Sequence, residues 1–342
     1  MRTSLALSMA VAMLALSMLA LSIVPAVADS AVILMYHRFG EDIYPSTNVR
    51  IEQFEAHIRE LRDGPYTVLP VSEIAAALRS GKTLPDRTVG ITVDDAYLST
   101  YTEAWPRLKA AGFPFALFIA TDAVDKRYAG MVDWDQIREM RAAGVEIGAH
   151  TGSHLHMPDN SPAANRAELQ RSLKRFEEEL GERPALFAYP YGEASLATRA
   201  IIGEFGFETA FGQHSGVAHG AGNLMYLPRF AMNENYSALE DFILRVNALP
   251  LAVSDISPRD SFINDRNPPL VGFTVDASIG SLGGLACYHS QFGKADLDIL
   301  GTHRVEIRFS EPFRVGRTRL NCTKPAGKGR WRWFGMQYYT PP

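Results

Sequence analysis

Short apolar runs recur between residues 31 and 249, each followed by a stretch of helical spacing, and several end in a residue able to bind a metal or move a proton. Ala31-Val32-Ile33-Leu34-Met35 leads to His37, and Val89-Gly90-Ile91-Thr92-Val93 leads to Asp94 and Asp95. Val145-Glu146-Ile147-Gly148-Ala149 leads to His150, and Ala185–Tyr189 leads to Tyr191. Between the first two runs, Phe54, Ile58 and Leu61, then Ile74, Ala75 and Leu78, keep the spacing of one helix face. Further helices are expected over Thr102–Ala111 with Gly112 as the stop, from Asp133 through Met140, and from Ser161-Pro162 to Leu180, ended by Gly181. Strand and helix alternating in this way predict an α/β fold whose parallel sheet is closed, or nearly closed, into a barrel. Catalytic groups in such barrels stand at the C-terminal ends of strands, where His37, Asp94, Asp95, His150, His154 and Tyr191 all fall.

The chemistry follows from residue type and placement. Two imidazoles, from His150 and His154 in His150-Thr151-Gly152-Ser153-His154, and one carboxylate leave coordination positions open for water and substrate. The second carboxylate of the Asp94-Asp95 pair is then free to act as a base. An alternative keeps both acids as caps of the following helix, a role compatible with catalysis. His156 has no place in this spacing. Trp134 either lines a small substrate pocket or fills core, and Asp133 reads as a helix N-terminal acid.

These motifs resemble those of the polysaccharide deacetylases of carbohydrate esterase family 4, the NodB-homology domain. Thr92-Val93-Asp94-Asp95-Ala96 stands for its Thr-Phe-Asp-Asp-Gly, His150 to His154 for its His-(Ser/Thr)-x-x-His, and Ala188-Tyr189-Pro190-Tyr191 for its Arg-x-Pro-Tyr. Leu34-Met35-Tyr36-His37 further resembles the branch that deacetylates poly-β-1,6-N-acetylglucosamine. The resemblance implies a distorted (β/α) barrel over residues 29–249 and a divalent metal held by Asp95, His150 and His154. Zn2+ suits two His and one Asp, with Co2+ or Ni2+ as alternatives. It implies Asp94 as general base toward the attacking water, His37 as general acid toward the leaving amine, and the Tyr191 backbone N–H as oxyanion donor. The implied reaction is N-deacetylation of an N-acetylglucosamine-containing polysaccharide. Peptidoglycan, chitin oligomers, an O-acetylated glycan and simple glycan binding are the alternatives. Two positions depart from the pattern: Ala188 replaces the Arg that orients the base, and Ala96 replaces the Gly after the acids. Arg229, in Leu227-Pro228-Arg229-Phe230, is the candidate substitute for the missing Arg.

Among the 342 residues, 38 acids against 34 Lys and Arg give a net charge of −4, which makes no case for nucleic acid and fits a neutral or partly cationic ligand. Arg2, a long apolar run and Pro25-Ala26-Val27-Ala28 read as a signal peptide over 1–28, cleaved after Ala28 for export; left uncleaved, the run would keep membrane contact. Both cysteines, Cys287 and Cys322, lie near the C-terminus, where an exported chain is expected to join them, two free buried thiols being the alternative. From Pro250 onward the helical pattern fades into short alternating runs, which predicts a small all-β, sandwich-like domain over 250–342. Its Trp331, Trp333, Tyr338 and Tyr339 either alternate into a β core, the preferred reading, or present ring faces to sugar.

Overall fold

The computed structural model describes residues 29–342, so the expected signal segment lies outside the described residues. The main sheet runs in the order Ala218–His219, Ser30–Tyr36, Thr88–Asp94, Ala116–Ile119, Glu146–Ala149, Leu186–Ala188, Thr209–Phe211. All neighbours are parallel except the short Ala218–His219, which runs antiparallel to the first strand. Val, Ile, Leu and Phe fill these strands because both faces are covered, one by helices and the other by the barrel interior.

Residues 227–231 draw the two sides of this curled sheet together. Leu227 bridges in parallel to Phe211 of the last strand, and Phe230–Ala231 pairs in parallel with Leu34 and Met35 of the first. Arg229 therefore sits in the segment that closes the ring.

Helices fall where the sequence signals put them. Gly112 and Gly181 take left-handed conformations (φ 70° and 77°) that end their helices, a region an L side chain avoids. Asp133 accepts the Gln136 N–H at 2.8 Å, the N-cap bond expected of it. The helix read over Thr102–Ala111 differs: a π-helical turn spans Thr100–Ala104, and the α-helix covers only Trp105–Ala111. Pro106 has no N–H to give the Thr102 carbonyl, so the regular ladder cannot run through it.

Beyond the barrel, a five-stranded and a four-stranded sheet face one another. Val271, Phe273, Val275, Val305 and Ile307 from one pack on Leu320, Cys322 and Tyr338 from the other. A disulfide joins Cys287 to Cys322, which are register partners on adjacent strands. The strands Gly316–Gly327 and Arg330–Thr340 form a long hairpin whose two faces differ. Its Leu320, Cys322 and Tyr338 point into the sandwich, whereas Arg317, Arg319, Asn321, Trp333, Gln337 and Tyr339 occupy the opposite side of the pleat. The reading of all four aromatics as sandwich core is thus corrected by register: Tyr338 is core, but Trp333 meets barrel residue Phe230 edge-on at 5.1 Å. Gly335 is required at this junction, since a Cβ there would collide with the Ser215 carbonyl of the barrel.

Candidate active site

Asp94 and Asp95 end and follow the Thr88–Asp94 strand, and alternation sends their side chains to different places. Asp94 is fully buried. The Arg229 guanidinium grips it with two parallel bonds, Nη1 to Oδ1 at 2.7 Å and Nη2 to Oδ2 at 2.8 Å. Arg229 itself is held by Nε donating to the Gly212 carbonyl at 2.9 Å and Nη1 to Thr92 Oγ1 at 3.0 Å, between the rings of Phe118 and Phe211. Burial pushes the Asp94 carboxyl up, but Arg229, His150 and His37 together outweigh it and hold the group ionised, below its ordinary range. Ala188, where the motif has Arg, faces apolar neighbours, and its carbonyl is bonded to His150.

Asp95, His150 and His154 converge on one point, their ligand-type atoms all within 4.8 Å of one another. Asp95 Oδ1 lies 3.4 Å from His150 Nε2 and 3.3 Å from His154 Nε2. Those separations are long for charge-assisted hydrogen bonds. They match donors set tetrahedrally around a zinc-sized cation, about 3.3 Å apart for bonds of 2.0–2.1 Å. Asp95 Oδ1 and His150 Nε2 are both buried without a hydrogen-bond partner, as suits atoms that ligate a cation. His150 Nδ1 donates to the Ala188 carbonyl at 2.7 Å, which fixes the tautomer and turns Nε2 toward the cluster. The residues present fit a divalent cation.

The backbone around these donors is bent into unusual shapes. Asp95, Ala96, Thr151, His154 and Tyr191 all have φ between 59° and 74°. Ala96 takes this conformation without glycine's freedom, at a cost of about 1–2 kcal/mol. Strain of this kind persists only where surrounding structure over-determines it, and here it aims side chains into the cleft.

His37 completes the inner group, Nε2 standing 4.0 Å from Asp94 Oδ2. Burial lowers its pKa more than the two aspartates raise it. Tyr191 sits in a 3-10 turn closed by Gly192 N–H to the Tyr189 carbonyl and Glu193 N–H to the Pro190 carbonyl, so the Tyr191 amide is not used in closing it. The structure does not bring Trp134 to this cleft. Its ring packs edge-on to Phe176 at 6.0 Å, and its indole N–H is spent on Asp125 at 2.8 Å, which corrects the pocket reading.

Several participants were not singled out from sequence. His156 stacks on the Tyr191 ring at 3.9 Å and pairs with buried Glu193 at 2.7 Å, so it braces the turn rather than standing idle. Burial raises the Glu193 pKa despite that partner. The Tyr191 carbonyl accepts from Gln337 Nε2 at 2.9 Å and from Arg317 Nη1 at 3.4 Å, both on the C-terminal hairpin. The cleft, about 760 Å³, is lined by His37, Asp95, His154 and Tyr191 on one side and by Arg317, Arg319, Asn321 and Trp333 on the other.

Residues 81–210 match the family described as Polysaccharide deacetylase. The chain is similar to the poly-beta-1,6-N-acetyl-D-glucosamine N-deacetylases of Escherichia coli K12 (27% identical, covering 68% of this chain and 41% of that one) and Staphylococcus aureus MRSA252 (26%, 64% and 83%). It spans 65% of a Bacillus subtilis relative, YxkH, at 28% identity, so the first relatives are matched over less than two thirds of their length. Among solved structures, IcaB from Ammonifex degensii superimposes with a TM-score of 0.56 at 27% identity, over 63% of this chain and 96% of that one. The Streptococcus pyogenes deacetylase PplD shares the fold, with a TM-score of 0.59 at 23% identity, over 64% of this chain and 98% of that one.

Proposed function

We propose that this chain is an exported, metal-dependent N-deacetylase acting on N-acetylglucosamine units of a polysaccharide. The observation that carries the reading is the division of labour in the acid pair: Asp94 is locked in ionised form by Arg229, while Asp95 turns away from it to meet two imidazoles. A divalent cation bound by Asp95, His150 and His154 supplies Lewis acidity, polarising an amide carbonyl and making a water acidic. Zn2+ is the cation we favour on donor type.

The chain's own residues do the rest. Asp94, ionised and fixed by two bonds, accepts the proton of the attacking water. His37 stands within reach of the same point and returns a proton to the leaving nitrogen. The Tyr191 N–H offers a hydrogen bond where negative charge develops on the acetyl oxygen. Export agrees with the disulfide, which persists in oxidising compartments, and with the signal-type N-terminus. Among the described residues, no helix is long and apolar enough to cross a membrane.

Acetate release from acetylated glycans, measured with and without chelator, tests the reading. Asp94→Asn, loaded with metal, is expected to keep its metal by elemental analysis and to lose turnover by about 10²–10⁴-fold. Turnover equal to the parent would remove Asp94 from the reaction.

A further inference from the structure

The cleft has a local charge opposite to that of the whole chain. Net charge is −4, yet three arginines line the cleft, Arg317 and Arg319 from the hairpin and Arg245 from the barrel. The one carboxylate in the lining is Asp95, already committed to the metal cluster. Arg245 has a partner in Asp241 at 3.9 Å, and Arg317 reaches Glu193 at 3.8 Å. Arg319 differs. It lies one pleat from Arg317 on the same face, is only partly exposed, and no carboxylate pairs with it among the described residues. Burial and the neighbouring Arg317 both press against its charge, and its pKa falls accordingly. A partly buried guanidinium beside a like charge favours the arrival of an anion.

The same face carries a platform. Trp333 lines the cleft, with its indole N–H donated to Asn321 Oδ1 at 3.1 Å and Phe230 edge-on against it at 5.1 Å, so its orientation is fixed. An aromatic ring and, past Asn321 on the same face of the hairpin, a fork of N–H donors suit a glycan bearing an oxyanion, since guanidinium binds carboxylate, phosphate and sulfate oxygens in pairs.

We propose that the hairpin wall is a subsite for an acidic glycan: Trp333 packs on one sugar ring, Arg319 takes an oxyanion further along the same glycan, and the polymer is a mixed one carrying acidic as well as N-acetylated units. The proposal rests on the deacetylase reading for the bond that is cut, but the wall stands on its own geometry. A neutral homopolymer leaves Arg319 unanswered, and a partly deacetylated, cationic one is repelled by it.

Binding and turnover together test this. The full chain is titrated by calorimetry with a hexasaccharide alternating N-acetylglucosamine and glucuronate, and with the same oligosaccharide after its carboxylates are reduced to alcohols. A second pair, a sulfated N-acetylglucosamine hexamer and its unsulfated parent, separates carboxylate from ester oxyanion. In at least one pair the acidic member is expected to bind tenfold or more tightly at 50 mM salt. The gap should narrow at 500 mM, close in Arg319→Gln and survive in part in Arg319→Lys. Equal or weaker binding of both acidic members, or no binding of any, overturns the acidic subsite. The salt series on the parent chain gives this answer even if the Gln variant fails to fold. Acetate release is followed in parallel. Acidic preference without acetate from any oligosaccharide would overturn the deacetylase reading and leave the subsite, whereas acetate release with neutral preference would do the reverse.

Discussion

The two walls of the cleft are built on different principles. The barrel wall carries its groups at strand ends, where a short stretch of sequence fixes which side chain points where: Asp94 inward to Arg229, Asp95 outward to His150 and His154. The hairpin wall depends on register. Arg317 and Arg319 reach the cleft, and Gln337 the Tyr191 turn, because every second residue of one long antiparallel pair turns away from the sandwich core. The barrel wall is buried and strained and holds the groups proposed to react. The hairpin wall is partly wet and holds what surrounds them.

The sharpest break of this comparison is at its deepest point. Arg229→Ala leaves the Asp94 carboxylate buried without its partner and is expected to cost about 3–5 kcal/mol of stability. Denaturant unfolding measures the loss, and acetate release by the folded fraction should drop with it. A variant as stable and active as the parent would refute the role given to Arg229.

Acid offers a second comparison, of one fold against the other. In the barrel, His57 accepts from the Tyr36 hydroxyl at Nδ1 (2.9 Å) and donates from Nε2 to the Ser237 carbonyl (3.0 Å), so both nitrogens are used by the neutral ring. Burial lowers its pKa to about 4, and that of His289 in the sandwich also to about 4. Both folded values lie below the unfolded one near 6.5, so the unfolded chain binds more protons in between. The stability they contribute is complete above pH about 6.5 and drains away as pH falls toward 4. For His57 this amounts to about 3 kcal/mol. Melting curves between pH 7 and 4 should therefore shift downward, and a single transition would show the two walls unfolding as one unit. A melting temperature that holds or rises on acidification contradicts the assignment of neutral, buried histidines.

The smallest effect belongs to the bond between the walls. Gln337→Ala removes the donor to the Tyr191 carbonyl while leaving the reacting groups in place. Turnover should fall a few-fold with KM little changed, for a loss of about 1 kcal/mol at one neutral hydrogen bond. A shift in KM alone would mean that Gln337 serves binding and not the setting of the Tyr191 turn.

What could be read in advance follows the same division. The strand ends were legible because apolar runs stop abruptly at His37, Asp94 and His150. Gly112 and Gly181 marked helix ends because few other residues take φ near +70° without strain. Arg229 could be nominated only as a substitute; its bidentate grip depends on a closing segment 135 residues from Asp94. Trp134 was ambiguous because a helix-opening Trp serves core and pocket equally, and only Asp125 and Phe176 decide. Gln337 and Arg319 carry no local signal, since nothing in Arg317 to Cys322 says which pleat faces a barrel. A hint was present in the strict alternation of Arg317, Arg319 and Asn321 with Thr318, Leu320 and Cys322. That pattern tells the two faces apart but does not name the partner of the polar one.

Arg229 lies in the segment that joins the last barrel strand to the first, and this gives the order of assembly a chemical meaning. A chain threaded from its N-terminus presents both aspartates and both histidines before residue 229 has emerged. Until that segment docks, the Asp94 carboxyl lacks the guanidinium that grips it, and burial works against its ionised form. On the function proposed above, hydrolytic competence arrives with the final stave, because the ion pair that arms the finished barrel is the last to form.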